Sequence, residues 1–118
     1  MPSNIPPVNV SEPWFTLLKL GIKQVEGRLF RGDFSRLKFG DIVTFGNNEM
    51  PFHRQFNVKI VGFSTYDSFE LYLQCEGLDR CLPGIDSIED GLAVYYKYYT
   101  KEEEAIDHVV ALTVVVVK

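Results

Sequence analysis

Cysteine and histidine are scarce in this chain, at two residues each. Cys75 and Cys81 are too few for a four-thiolate zinc site, and His53 and His108 lie too far apart in sequence to complete one. No metal and no cofactor is expected, and the two thiols read as a reduced intracellular pair. Long hydrophobic runs are missing too. Nothing approaches the ~18 consecutive apolar residues of a membrane helix, and the valine run at Val114 to Val117 is only four residues long. Residues 1–10 hold Pro2, Pro6 and Pro7 but no apolar h-region, so they do not read as a secretory leader. An excess of positive charge is also absent. Twelve Lys and Arg stand against sixteen Asp and Glu, a formal charge of −4. That argues against undiscriminating binding to nucleic acid, which needs a net positive footprint.

What is present is core material. The 118 residues are 46% hydrophobic and 14% aromatic, enough for one domain with a real interior and too short for two ordinary ones. Residues 1–10 read as a flexible lead, and 11–118 as the domain. Ser11 is the expected N-cap of a short helix whose apolar face is Trp14, Leu17 and Leu18, with Pro13 in its first turn and Gly21 at its end. From there the period becomes two. Val25 and Leu29 flank Gly27 on one side of a strand, with Gln24, Glu26 and Arg28 on the other.

A turn at Lys38 to Asp41 leads to a strand over Ile42 to Phe45, Gly46-Asn47-Asn48 reads as a loop, and a further strand runs from about Phe56 to Phe63. Asp67 with Glu70 and Ser87 with Asp90 look like capping boxes opening two helices. Gly77 closes the first, and the second carries Ile88, Leu92, Tyr95, Tyr96 and Tyr99 on its buried face. Most of the tyrosines are therefore expected in the core, with Tyr98 the one left exposed for stacking. Thr100 with Glu103 suggests a short acidic turn, and Val109 to Val117 a strand apolar on both faces, hence central. The fold class is α+β, with the strands gathered into a small twisted sheet or barrel.

The chemistry concentrates in Gly21-Ile22-Lys23-Gln24-Val25-Glu26-Gly27-Arg28. Glu26 and Arg28 share one face of a strand, and Lys23 sits at the helix-to-strand corner beside them. An Arg can hold a carboxylate, a phosphate or a base edge with two hydrogen bonds. A nearby Lys supplies a point cation, or a base or nucleophile if burial lowers its pKa. The same spacing also fits a plain surface ion pair of little energetic weight. Leu82-Pro83-Gly84 has the makings of a fixed loop at a cleft rim or of an ordinary turn.

The run Gly21-x-Lys23-x-x-Glu26-x-Arg28 resembles the signature of the ASCH domain family (activating signal cointegrator homology), a branch of the PUA-like superfamily. The likeness continues through Glu12-Pro13-Trp14-Phe15, Phe39-Gly40-Asp41-Ile42, Leu82-Pro83-Gly84, Ser87-Ile88-Glu89, Val94-Tyr95 with Tyr98-Tyr99, and Val109-Val110-Ala111. It is closest to small stand-alone members. The resemblance implies a PUA-like small twisted β-barrel flanked by a few short helices, with a cleft beside the signature that binds RNA or a nucleotide-like small molecule.

Some small bacterial relatives hydrolyse the amide of acetylated cytidine, and another is described as a ribonuclease. Carried over by position, Lys23 matches the motif Lys, Glu26 stands where the amidohydrolases have a nucleophilic Thr, and Glu76 is the candidate for their later acid or base. Catalytic roles would thus fall to Lys23 and Glu26, with Glu76 as a further candidate, and ligand binding to Lys23, Glu26, Arg28, Leu82, Pro83 and Gly84. Losing the hydroxyl favours binding over hydrolysis. A protein-interaction domain is the third reading. The expected setting is a monomer inside the cell, in the cytoplasm or, in a eukaryotic host, the nucleus, without a membrane partner.

Divided along the chain, the charge takes on a different meaning. Residues 19–38 carry six basic and two acidic side chains, a net +4, whereas 67–90 carry one basic and seven acidic, a net −6. The signature segment is locally basic, as a small anionic ligand or short RNA requires.

Overall fold

The computed structural model describes residues 5–49 and 52–118. Five strands, β1 (Val8–Asn9), β2 (Val25–Leu29), β3 (Ile42–Asn47), β4 (Arg54–Tyr66) and β5 (Val109–Val117), form one mixed sheet in the order β1-β3-β4-β5-β2. Five helices accompany it: α1 (Trp14–Lys19), α2 (Phe69–Glu76), α3 (Leu78–Cys81), α4 (Ile88–Tyr95) and α5 (Lys101–Asp107). A single 3₁₀ turn at Gly32–Arg36 follows β2.

The long β4 changes register between Ile60 and Gly62, pairing with β3 before that point and with β5 on both sides of it. Such an irregularity bends a strand and raises its twist. The sheet accordingly curls into a half-barrel and divides the apolar residues into two cores. Inside the curl lie Phe15, Leu18, Val43, Phe45, Val58, Ile60, Val110 and Leu112. On the other face Val25, Leu29, Val109 and Ala111 pack against Phe69, Tyr72 and Leu73 of α2 and Tyr95 of α4. Strand β5 feeds both cores by alternation, which is why its sequence is apolar at every step but one between Val109 and Val117.

Local chemistry departs from the sequence reading at several points. Val8 and Val10 are buried, and β1 pairs in parallel with Phe45 and Gly46, so the fold takes in residues assigned to the lead. Positions 1–4 of that lead lie outside the described residues. Ser11 does not cap α1. The N-cap position falls on Pro13, and the Glu12 carboxylate just before it accepts from Thr16 N at 2.9 Å and Thr16 Oγ1 at 2.6 Å.

Ser68 rather than Asp67 caps α2, accepting from Leu71 N at 3.1 Å, because its shorter hydroxyl sits one residue closer to the first turn. Gly46 and Asn47 extend β3 instead of forming a loop. The Asn47 side chain is fully buried and donates to Val10 O at 2.8 Å, tying β3 to the chain leaving β1. Ser87 caps α4 as expected. The acidic turn at Thr100 is a complete capping box opening α5.

Candidate functional site

In an open sheet the two edge strands are the places where the main chain is left without a neighbour. Here the curl brings those edges, β1 and β2, to face each other across a seam. A cavity of about 340 Å³ occupies it, lined on one side by Asn9, Val10, Ser11 and Trp14 and on the other by Lys23, Glu26, Gly27 and Arg28. Leu82 and the α4–α5 connection, with Tyr98 and Tyr99, complete the wall.

The signature residues arrive there for local reasons. Gly21 takes a left-handed conformation with φ +79°, open to glycine without strain. The chain then doubles back so that both Ile22 N and Lys23 N donate to Leu17 O at 3.0 Å. This turn drives Lys23 inward, to 2% exposure. Its ammonium donates to Val25 O at 2.6 Å and to Cys81 O, the carbonyl at the end of α3. Glu26 Oε1 lies 3.4 Å away. Arg28 Nε donates to Glu26 Oε2 at 2.7 Å, and its Nη2 reaches across the seam to Asn9 O at 2.9 Å. One guanidinium thereby ties the two edges of the half-barrel together.

Burial shapes the electrostatics of this Lys23–Glu26–Arg28 row. Loss of water lowers the Lys23 pKa, and the Glu26 carboxylate opposes that fall only in part. Burial alone would raise Glu26, but the Arg28 and Lys23 charges outweigh it and hold the carboxyl below its ordinary value. For Arg28 burial pulls downward, and Glu26 and Tyr99 more than offset it, so the guanidinium stays charged. The surface ion-pair reading therefore fails: Glu26 is 7% exposed and lies between two cations at the base of a cavity.

The other predicted residues divide. Leu82 is buried and lines the cavity, but Pro83 and Gly84 do not, since the chain turns outward after Leu82. Glu76 is also outside it. On α2 it accepts from the Tyr66 hydroxyl, whose pKa is pushed up to about 12, and pairs with Arg80 at 3.6 Å. Trp14, Asn9 and Ser11 join the site without having been singled out as ligand residues. Trp14 places its ring 5.8 Å from Lys23 Nζ. Tyr98 is 62% exposed and its hydroxyl stands 3.3 Å from Ser11 Oγ across the cavity mouth. Behind it Tyr95 stacks on Phe69 at 4.4 Å, a core role as periodicity suggested.

Comparisons with known proteins agree with this architecture. The chain superposes on the crystal structure of hypothetical protein PH0355 with a TM-score of 0.82 at 33% identity, covering 94% of this chain and 97% of that one. It also matches the solution NMR structure of protein PF0455 from Pyrococcus furiosus, with a TM-score of 0.75, 31% identity and coverage of 95% and 96%. No curated protein matches significantly. The ASCH domain profile matches residues 8–118, beginning at β1, and this family is associated with RNA binding. The chain belongs to the ASCH domain family.

Proposed function

We propose that this protein binds RNA at a single unpaired nucleotide, or a free modified nucleoside, by taking the base into the seam cavity. The observation that carries this reading is the meeting of a buried Lys23–Glu26–Arg28 row with the Trp14 and Tyr98 rings at one opening. A volume of about 340 Å³ suits one small molecule and excludes a duplex. Aromatic walls suit a base, because every base has a π-face and gains about 1–3 kcal/mol on stacking.

Binding is favoured over catalysis by the state of the polar groups. The Lys23 ammonium donates to two carbonyls and faces the Glu26 carboxylate at 3.4 Å, and Glu26 is held ionised by two cations. They form a fixed electrostatic base rather than free reactants.

The sole tryptophan lines the cavity, so its fluorescence reports occupancy. Titration with a short single-stranded RNA is expected to quench Trp14, and the matching duplex to leave it unchanged. Arg28→Gln is expected to weaken binding by about tenfold or more, since it removes a charge-assisted donor. Equal affinity for wild type and Arg28→Gln at low salt, with no quenching, overturns the reading.

One observation supports hydrolysis as a second reading: burial depresses the Lys23 pKa, as a base or nucleophile requires. Incubation with N4-acetylcytidine tests it by chromatography. Deacetylated cytidine formed by wild type and absent from a Lys23→Met control supports it, and no product removes it.

A further inference from the structure

The hydrogen-bond alternation of β2 leaves the Gly27 main-chain pair facing the cavity without a partner among the described residues. Val114 N donates to Gln24 O, and Phe30 N donates to His108 O, both at 3.0 Å. These two pairs lie in the same antiparallel register as Val25–Thr113 through Leu29–Val109. Hydrogen-bonded and non-bonded pairs alternate along such a ladder. Glu26 and Arg28 therefore bond to β5, while Val25, Gly27 and Leu29 turn their N–H and C=O groups away from it, toward the seam. Val25 O is taken by Lys23 Nζ, and Leu29 O by Arg31 N at 2.9 Å. The Gly27 N–H and C=O have no partner among the described residues, although Gly27 is buried and lines the cavity.

Burying a peptide donor and acceptor without partners costs free energy comparable to the lost hydrogen bonds. A pair of this kind facing a cavity is satisfied by water or by whatever enters. The N–H and C=O of one extended residue point the same way. They match a planar group carrying an acceptor beside an N–H donor, and the amide- or amidine-like edge of a nucleobase is such a group. A phosphate has acceptors only and would leave Gly27 O unmatched, as would a sugar edge presenting only an ether oxygen.

Side chains reinforce the assignment. Lys23 gives two N–H groups to carbonyls and faces Glu26, and Arg28 gives Nε to Glu26 and one Nη2 hydrogen to Asn9 O, with no hydrogen bond from its Nη1 among the described residues. The carbonyl of Gly27 and the carboxylate of Glu26 thus bring acceptors to the lining. Such a lining offers acceptors to the N–H groups of a ligand as well as Arg28 donors to its oxygens.

We infer that the Gly27 main chain is the specificity element of the cavity, pairing with the acceptor and N–H donor on the edge of one nucleobase in the manner of an added β-strand. This rests on the binding reading above. It assigns recognition to the base edge and leaves phosphate outside. It also gives Gly27 a second role besides packing.

The test uses the whole protein, 15N-labelled, with four nucleosides as probes: cytidine, N4,N4-dimethylcytidine, adenosine and N6,N6-dimethyladenosine. Cytidine or adenosine is expected to shift the Gly27 amide resonance and slow its hydrogen exchange at saturation. Dimethylation removes the N–H donor and is expected to weaken binding about tenfold to a hundredfold, as leaving a buried acceptor unmatched does. Adding a 5′-phosphate is expected to change affinity less than threefold. If the nucleosides bind with an unmoved Gly27 amide and their dimethylated forms bind equally well, the main-chain assignment falls and the binding reading stands. If none of the four binds while RNA still does, the assignment falls again. If neither nucleosides nor RNA bind, both fall together.

Discussion

Lys23→Ala is expected to lower the unfolding free energy by about 3–5 kcal/mol, the range for removing one member of a buried charge cluster. The ammonium at 2% exposure is the common donor to two carbonyls, Val25 O and Cys81 O, and the neighbour of Glu26. Its removal leaves those carbonyls unsatisfied, detaches the end of α3 from β2, and takes one of two cations from a carboxylate that water cannot readily reach. Urea denaturation checks this as a fall in midpoint at unchanged slope. A loss below about 1 kcal/mol, the surface-pair range, would show that the cluster is solvated.

Replacing the row together, as Lys23→Met with Glu26→Leu and Arg28→Met, is expected to cost less than Lys23→Ala, because no unpaired charge remains and only the Val25, Cys81 and Asn9 carbonyls lose their donors. Ligand binding is expected to vanish in that protein, which separates the functional role of the charges from their structural one.

The same row sets a pH dependence. The folded-state pKa of Glu26 lies below its ordinary 4.5, so the unfolded chain binds the proton more tightly. Its stabilising contribution is full above pH 4.5 and is lost as pH falls through the lower, folded value. Lys23 acts in the same direction: its pKa lies below 10.5 when folded, so stability due to it also rises with pH up to that value. Glu26→Gln is expected to flatten the acid limb of a plot of stability against pH. An unchanged limb contradicts the shift.

Gly27→Ala is the second large effect, and its cause is steric. A Cβ at this position would stand 2.4 Å from Cζ and 2.6 Å from Oη of Tyr72. Tyr72 cannot withdraw: it is fully buried, and its hydroxyl pairs with that of Tyr95 at 2.9 Å. Either β2 or α2 must shift, at a cost of about 1–3 kcal/mol for overpacking. A double-mutant cycle with Tyr72→Leu tests the mechanism, since the smaller side chain makes room for the methyl group. The double variant is expected to be more stable than additivity allows, by about 0.5–3 kcal/mol. Strict additivity would mean that the two residues do not compete for space.

Residues 11–29 show how far pattern reading carries. The helix ending at Gly21 and the strand from Val25 to Leu29 follow from apolar spacing and one left-handed glycine, and both are found. The acceptors for the first-turn N–H groups are less legible. Ser11 and Glu12, or Asp67 and Ser68, are adjacent candidates of similar chemistry, and only the path of the chain selects Glu12 and Ser68. Asn47 reads as a loop residue because nothing local reveals Val10 O as its partner, 37 positions away in the chain.

By itself the sequence determined the elements, the α+β class, and the coincidence of Lys23, Glu26 and Arg28, since these depend on periods of two and 3.6 and on neighbours along the chain. The tertiary structure decided that the three charges are buried rather than solvated. Only the curl of the sheet brings β1, with Asn9, opposite β2. It also decided that Trp14 and Tyr98 share their cavity, that Glu76, Pro83 and Gly84 do not, and that the Gly27 main chain lacks a partner among the described residues. The physical reason is that burial and an open strand edge are properties of the assembled surface. They arise from contacts between residues far apart in sequence, which no local pattern encodes.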